Sequence, residues 1–202
     1  MVQAAELFNT YGYHVASMED IAAAVGVAKP TLYHYFKSKS DILYAIHDEF
    51  IDLIIAEHDA RVAAQPHLPA DQCLLGIMQD ILHLMRTHRG HVRVFFECHR
   101  SLRVDQQLAI RAKRDAYAGT VIRLLEQGNT EGKFSCDPEI VTLALFGICN
   151  WAYQWYDASG ELSTADLAEE FWQILLRGIA AAPGASTVVT MRFPGTLTRP
   201  GP

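Results

Sequence analysis

Residues 17–41, which read SMEDIAAAVGVAKPTLYHYFKSKSD, contain the start signals of three successive helices. The first four residues have the form of a capping box, in which the Ser17 oxygen accepts a hydrogen bond from an unpaired amide and the Asp20 carboxylate accepts one in return. A carboxylate also suits the positive end of a helix dipole. The pattern therefore predicts a helix that begins near Met18 and ends before Gly26, where the chain can turn sharply.

The second helix of this stretch is predicted to begin near Lys29. Pro30 fits its first turn, because first-turn amides have no partner within the helix and proline lacks that amide. With Leu32 turned toward the core, the outer side carries a cation, a hydroxyl group and aromatic rings. These groups belong to Lys29, Thr31, Tyr33 and His34. They suit contacts with phosphates, base edges and thymine methyl groups.

A second capping signature, from Ser38 to Asp41, predicts the start of a longer helix. Its positive N-terminus and Lys39 are a favourable place for a phosphate. Two short helices joined by a glycine turn, the second of which displays base-binding and phosphate-binding groups, follow the order of a helix-turn-helix unit. The stretch therefore predicts a DNA-binding module.

Apolar residues recur at helical spacing along most of the chain, which predicts an all-α protein of about nine helices. Prolines in residues 65–69 break this pattern and predict the first inter-helix linker. From Pro183 onward, four prolines and three glycines in twenty residues predict a disordered tail over 183–202. The helices are predicted at 2–11, 18–25, 29–35, 39–63, 70–87, 89–102, 105–129, 138–157 and 164–181.

Composition restricts the class of protein. The formal charge of −6 over 202 residues argues against a protein that coats nucleic acid along its whole surface, so any basic surface must be local.

The four cysteines are widely separated, which favours reduced thiols in a cytoplasmic protein over a disulfide framework. No signal peptide is predicted at Met1. Residues 140–156 carry no charge but are too short for a membrane span, so they indicate a buried or interface helix.

The N-terminal quarter of the chain resembles the DNA-binding domain of the TetR family of transcriptional regulators. The resemblance rests on AAELF at 4–8, Gly12-Tyr13, SMEDIA at 17–22 and GVAKPTLYHYFKSK at 26–39. It implies a helix-turn-helix domain over 1–48, followed by a ligand-binding and dimerisation domain over 49–182. Carried over by position, it implies base and phosphate contacts by Lys29, Pro30, Thr31, Tyr33 and His34, and phosphate clamps at Ser17 and Lys39.

Relatives in this family usually carry ten or more residues, often basic, ahead of the point that matches Met1. Residues 1–48 hold three lysines against five carboxylates, and the lysines cluster at positions 29–39. We therefore hypothesise that a basic arm belongs upstream of Met1 and strengthens DNA binding.

The last two predicted helices are rich in large apolar residues, which points to a homodimer. One carries Ile140, Leu143, Phe146 and Ile148, and the next carries Leu167, Phe171, Ile174 and Leu175. Pairs of such helices often form a four-helix interface with their symmetry mates. The alternative is an ordinary core within one chain.

A ligand cavity is predicted within the second domain, lined by apolar side chains with a few polar groups that orient the guest. The candidate lining residues are Met78, Leu82, Met85, Phe95, Phe96, His99, Tyr117, Asn150, Trp151, Trp155 and Tyr156. The simpler interpretation of each one is a core residue.

Residues 150–163, together with Gly128 and the Gly132-Lys133-Phe134 run, resemble TetR relatives that sense acyl-CoA thioesters. This resemblance implies a small hydrophobic or acyl-CoA-type effector and no resident cofactor. Some of those relatives have an arginine where this chain has Gln154, so the acidic coenzyme would need other cations. Arg100, Arg103, Arg111, Lys113 and Arg114 are near in sequence, although a solvated helix face also explains them.

Two rival functions remain open at this stage. Histidines 83, 88, 91 and 99 suggest a metal-responsive repressor, but their spacing does not form a convincing ligand set, so no metal site is predicted. A helical-bundle enzyme or adaptor is the other alternative. The chain has no GxSxG, P-loop, GxGxxG or HExxH motif, so no catalytic residue is predicted.

Overall fold

The structure is a computed structural model that describes residues 1–180. The predicted tail over 183–202 lies outside the described residues. Within residues 1–180 the chain forms nine α-helices, which confirms the all-α prediction. They are α1 (Val2–Tyr11), α2 (Met18–Val25), α3 (Lys29–Tyr35), α4 (Lys39–Ala64), α5 (Ala70–Thr87), α6 (Arg89–Glu97), α7 (Val104–Thr130), α8 (Pro138–Trp151) and α9 (Thr164–Ile179).

Two predicted helices were too long at their C-terminal ends. The helix predicted over 89–102 ends at Glu97 and is followed by a 3-10 turn, His99–Ser101. The one predicted over 138–157 ends at Trp151 and is followed by a 3-10 turn, Ala152–Gln154. Buried Leu102 and Ala152 continue the apolar pattern past both helix ends, so the pattern does not mark where the backbone tightens to i→i+3 bonds.

Helix α5 is the centre of the larger part of the fold. It packs against α4, α6, α7, α8 and α9. Leu74, Ile77, Met78 and Leu82 of this helix are almost completely inaccessible to solvent. A helix that is apolar on several faces is stable only when neighbours cover all of them, which explains why α5 lies inside the bundle.

The N-terminal helices are joined to this bundle through α1 and α4. Helix α1 packs against α6, where the Gly90 amide donates a 3.0 Å hydrogen bond to the Glu6 carboxylate. Helix α4 is continuous from Lys39 to Ala64 and contacts α5, α6 and α7. The predicted domain boundary at residue 48 therefore falls inside a helix.

Gly128 of α7 allows a close contact that anchors the α7–α8 connection. The Phe134 ring lies against this glycine, where a Cβ atom would collide with it, and Phe134 is itself buried. Gly132, at a φ of 71°, supplies the left-handed turn that brings the phenylalanine back onto the helix.

All four cysteines are free thiols, with Cys73 and Cys149 buried. No helix among residues 1–180 is both long and apolar enough to cross a membrane.

Candidate DNA interface and effector cavity

The predicted capping box at the start of α2 is confirmed. The Asp20 amide donates to the Ser17 hydroxyl oxygen at 3.1 Å, and the Asp20 carboxylate accepts from the Ser17 amide at 2.9 Å and from its hydroxyl at 2.6 Å. These hydrogen bonds lower the pKa of Asp20. At the other end, Gly26 has a φ of 76° and its amide reaches the last carbonyls of α2. The turn between α2 and α3 thus has the geometry that a left-handed helix cap provides.

Helix α3 presents its predicted contact residues to solvent. Leu32 is buried against the core, whereas Lys29, Pro30, Thr31, Tyr33 and His34 are all exposed. Tyr35, which the sequence interpretation did not include, is also exposed and its ring lies edge-on to His34 at 5.3 Å between centroids. The α3 surface therefore offers three adjacent rings beside a lysine and a threonine.

Lys29 does not extend freely from this surface. Its ammonium forms an ion pair with Glu19 of α2, and its Nζ atom lies 5.8 Å from the centroid of the Tyr33 ring. The hydrogen bond to Glu19 raises the pKa of Lys29 and lowers that of Glu19. Both side chains are exposed, so the pair is open to exchange with a phosphate.

The two predicted phosphate clamps, Ser17 and Lys39, are engaged within the protein. Ser17 is the cap of α2, as described above. The Lys39 ammonium donates to the carbonyl oxygens of His14 at 3.1 Å and Ala16 at 2.7 Å, and lies 4.7 Å from the Tyr13 ring centroid. Lys39 therefore holds the loop between α1 and α2 against the start of α4.

Polar contacts also join the start of α4 to the start of α7. The spacing of residues in the sequence could not indicate these contacts. The Ser38 hydroxyl caps α4 by accepting from the Asp41 amide at 3.2 Å. The Asp41 carboxylate then accepts from the Arg103 guanidinium at 2.8 Å, which lowers the pKa of Asp41. One residue earlier, the Ser40 hydroxyl donates to Gln106 at 2.9 Å. The N-terminal end of α4 thus has direct polar contacts with the start of α7.

The larger helical unit contains a cavity of about 210 Å³ between α4, α5, α6, α7 and α8. Four predicted lining residues border it: Phe95, Phe96, Tyr117 and Asn150. Ten further residues complete the wall, namely Phe50, Ile51, Ile54, Ile81, Arg114, Asp115, Ala118, Thr142, Leu143 and Phe146. The wall is mainly aromatic and aliphatic, which suits an apolar guest.

The remaining predicted ligand residues lie elsewhere. Met78 and Leu82 are fully buried in the core of α5. Met85 and Tyr156 border a separate cavity of about 110 Å³ with Arg89, Arg93 and Gln154. His99 lies in a surface depression beside Arg111 and Arg114. Trp151 and Trp155 are 64% and 50% exposed, so both point away from the cavity.

The charged side chains in the cavity wall are Arg114 and Asp115, and the titratable His47 lies beside the wall. The Arg114 guanidinium carbon lies 5.9 Å from the Phe95 ring centroid, so this cation is held at the wall. His47 is fully buried beside Phe95, and its Nδ1 atom is 2.9 Å from the Leu43 carbonyl oxygen. Burial lowers the pKa of His47 to about 4, so its ring is neutral at physiological pH.

The histidines that suggested a metal sensor do not assemble. His83 is exposed on α5, His88 and His91 meet at the α5–α6 junction, and His99 lies near His47. No group of three metal-binding side chains occurs within the part of the chain that the structure describes.

An apolar surface runs along α8 and α9. Ile140, Leu143 and Trp151 of α8 and Ile174 of α9 have between 46% and 64% of their surface exposed. Phe171 and Leu175 are half-buried next to them. Leu167, which was predicted to share this surface, instead faces the core. A row of exposed large apolar residues on two adjacent helices is characteristic of a subunit interface.

Two family models together match most of the chain. Residues 1–46 match the model described as "Bacterial regulatory proteins, tetR family". Residues 67–179, more than half of the chain, match the model described as "Tetracyclin repressor-like, C-terminal domain". The matches cover α1 to α3 with the start of α4, and then α5 to α9.

Individual relatives agree with this assignment over nearly the full chain. The transcriptional repressor KstR2 of Mycolicibacterium smegmatis is 22% identical over 184 residues, which are 90% of this chain and 89% of the relative. The solved structure of PfmR, a TetR family regulator from Thermus thermophilus, has 26% identity and a TM-score of 0.79, and the match covers 87% of this chain and 96% of PfmR.

AibR, solved in complex with isovaleryl coenzyme A and operator DNA, has 26% identity and a TM-score of 0.77. That match covers 86% of this chain and 94% of AibR. These proteins are regulators rather than enzymes, which excludes the helical-bundle enzyme alternative. The chain is a member of the TetR family of bacterial transcriptional regulators.

Proposed function

We propose that this regulator represses transcription as a homodimer that binds a palindromic operator, and that a small effector in the 210 Å³ cavity releases it. The observation that carries the proposal is that one helix, α4, serves both sites. Its N-terminus adjoins the α3 surface, and its residues Phe50, Ile51 and Ile54 line the cavity. The domain division at 1–48 and 49–182 remains part of this proposal.

The DNA contacts are assigned to the exposed surface of α3. Lys29, Pro30, Thr31, Tyr33 and His34 present a cation, a hydroxyl group and rings at the positions that a recognition helix inserts into the major groove. Ser17 and Lys39 flank this surface at the starts of α2 and α4. An ammonium has three donors, so Lys39 keeps one for a phosphate after its two carbonyl contacts.

The effector is assigned to small apolar molecules, including short acyl groups carried by coenzyme A. An engineered protein cavity of about 150 Å³ holds benzene. A cavity of 210 Å³ therefore suits a single ring or a short branched chain. AibR, which has the same fold, was solved in complex with isovaleryl coenzyme A. Arg111 and Arg114 border the neighbouring surface depression, where they can meet an acidic coenzyme.

Release follows from a population shift. Effector binding favours the conformation of α4 that best fits the occupied cavity, because a ligand stabilises the state to which it binds more tightly. Helix α4 has 26 residues. A helix of that length spans roughly 40 Å, so a small tilt at the cavity moves its DNA-proximal end. The two recognition helices of a dimer then no longer match adjacent major grooves.

The dimer is assigned to the apolar surface on α8 and α9, which predicts the effect of a charge placed there. Ile174→Glu is expected to raise the dimer dissociation constant about tenfold, because burying an unpaired carboxylate at an interface is unfavourable. Ile174 is 62% exposed, so the monomer itself should fold normally. Analytical ultracentrifugation measures the constant.

The matched control is Val62→Glu, which adds the same charge at an exposed apolar residue of α4. An unchanged constant in Ile174→Glu, or an equal rise in Val62→Glu, would contradict the assignment of the interface.

The regulator proposal is tested by selecting bound sequences from random duplex DNA with the purified protein. The expected product is a palindromic motif whose duplex is retarded by the protein in a gel shift. Isovaleryl-CoA and a panel of other short acyl-CoAs are then added to the complex, and at least one is expected to release the DNA. Recovery of no motif would refute operator binding, and a motif that no member of the panel releases would refute the acyl-CoA assignment.

A further inference from the structure

Two charged side chains of α7 lie at the mouth of the 210 Å³ cavity. Arg114 and Asp115 border this cavity, and both also border the surface depression that contains His99 and Arg111. Both side chains are exposed to solvent. Residues that belong to the cavity wall, to the adjoining depression and to the solvent-accessible surface lie where the cavity opens. A guest in the cavity therefore meets these two charges at its outer end.

Three polar side chains of the wall are unavailable to a guest. The Thr142 hydroxyl donates to a backbone carbonyl oxygen of its own helix at 2.7 Å. The Asp115 carboxylate forms an ion pair with Arg111 at 3.6 Å. The Tyr117 hydroxyl oxygen is inaccessible even from the cavity, although the ring of this residue lines the wall.

Arg114 and Asn150 remain as the polar residues of the wall that can bind a guest. Arg114 has no ion pair within residues 1–180, and its guanidinium carbon lies 5.9 Å from the centroid of the Phe95 ring. Its N–H groups can only donate. The Asn150 amide can donate and accept, so it does not distinguish a neutral guest from a charged one. Arg114 is therefore the residue that selects the charge of the guest.

The electrostatic potential at the mouth favours an anion. Arg111 and Arg114 are positive and Asp115 is negative, which leaves a positive charge in excess among the residues that border the cavity and the depression. Burial lowers the pKa of His99, and the charge of Arg114 lowers it further, so this ring is neutral at physiological pH. Because Asp115 is paired with Arg111, the charge of Arg114 is left for a guest.

We propose that the effector of this regulator is an anion whose apolar part fills the cavity and whose negative group, a carboxylate or a phosphate, is bound by Arg114 at the mouth. A guanidinium matches both groups in geometry and forms charge-assisted hydrogen bonds with them. This inference rests on the proposed function, since it takes the 210 Å³ cavity as the effector site. It removes neutral molecules from the class of effectors and names Arg114 as the residue that determines this specificity.

The first arm of the test compares benzoate with benzamide, which have nearly the same shape and differ in charge. Isothermal titration calorimetry on the full-length protein at neutral pH measures both dissociation constants. If the anion is a carboxylate, the wild type is expected to bind benzoate about tenfold more tightly, because a hydrogen bond to an ionised group is stronger than one to a neutral group. In Arg114→Gln this preference is expected to disappear, while the constant for benzamide stays nearly unchanged.

The second arm compares isovaleryl-CoA with isovaleryl-pantetheine, which carries the same thioester without phosphates. If the anion is a phosphate, the wild type is expected to bind isovaleryl-CoA about tenfold more tightly for the same physical reason. This preference is expected to disappear in Arg114→Gln. The two arms therefore distinguish a free acid from a coenzyme thioester.

The matched control is Arg123→Gln, which removes the same charge from the same helix. Arg123 is exposed and borders neither the cavity nor the depression. This variant is expected to keep the preference for the anion, because the charge at the mouth is intact. Both variants are expected to keep the wild-type Tm, since both arginines are exposed.

The outcomes separate this inference from the proposed function. Neutral probes that bind as tightly as the anions in both arms, an unchanged preference in Arg114→Gln, or an equal loss in Arg123→Gln would overturn the role of Arg114 and leave the effector cavity standing. Failure of all four probes to bind would overturn the assignment of the cavity as well. Operator binding is measured separately by gel shift and does not depend on either result.

Discussion

Replacing Lys29 and Tyr33 together by alanine is expected to weaken operator binding about 100-fold or more, with unchanged affinity for effector. Each good contact to a base edge contributes about 1–3 kcal/mol of discrimination, and a dimer makes each contact twice. Both side chains are exposed on α3, so their loss removes groups from the DNA surface without opening a hole in the core. Fluorescence anisotropy with the selected palindrome measures the change.

The control for this variant is Tyr11→Ala, which removes an exposed tyrosine from α1 in the same N-terminal unit. It should retain nearly wild-type DNA affinity. Comparable loss in the control, or a fall in Tm in the double variant, would show that folding rather than DNA contact is affected. A double variant that binds the palindrome as the wild type does would exclude α3 as the recognition helix.

Arg61→Met is expected to destabilise the protein by about 3 kcal/mol at neutral pH, because it leaves the Asp80 carboxylate buried without its partner. Asp80 is 5% exposed, and Arg61 supplies its ion pair. Methionine keeps much of the length and apolar stem of arginine, so the effect reports the lost charge rather than a cavity. Urea unfolding monitored by circular dichroism measures the free energy of unfolding.

The pH dependence of this variant follows from the pKa of Asp80. Burial raises that pKa above its ordinary value of 3.8, an effect that the Arg61 guanidinium opposes in the wild type. Without Arg61 the pKa rises further, so the folded variant binds more protons than its unfolded chain. Its stability should therefore fall as pH increases from about 3.8 through the folded pKa.

Arg61→Met combined with Asp80→Asn is expected to restore most of the lost stability and to flatten this pH dependence, because no charge is then buried. Equal destabilisation of the single and double variants at every pH would mean that the arginine contributes packing rather than charge.

The DNA-binding unit was predictable from sequence because its signals are local. A capping box requires only two side chains three residues apart, and Ser17 with Asp20 forms one as predicted. Gly26 marks the turn because a left-handed cap strongly favours glycine. What spacing could not predict was the internal engagement of the cations, since Lys29 pairs with Glu19 ten residues away and Lys39 binds carbonyl oxygens in the preceding loop.

The cavity was only partly predictable, because an apolar residue at helical spacing looks the same whether it lines a cavity or fills a core. Met78 and Leu82 were predicted to face a ligand and instead lie in the core of α5. Ile51 and Ile54 were not considered, although both line the cavity. Trp151 and Trp155 were also predicted to line the cavity, but they lie at the end of α8 and just after the following 3-10 turn, where both are at least half exposed.

The ion pair between Lys29 and Glu19 affects how strongly the protein binds chromosomal DNA outside its operator. The Glu19 carboxylate offsets the charge of Lys29 in the free protein, so a DNA phosphate at Lys29 competes with a carboxylate that is already bound there. Counterion release then contributes less to binding at arbitrary sequences, where backbone charge is nearly the whole attraction. Cognate sites regain the difference through base contacts. An acidic regulator of this kind therefore binds random DNA more weakly and has a larger ratio of operator affinity to random-DNA affinity.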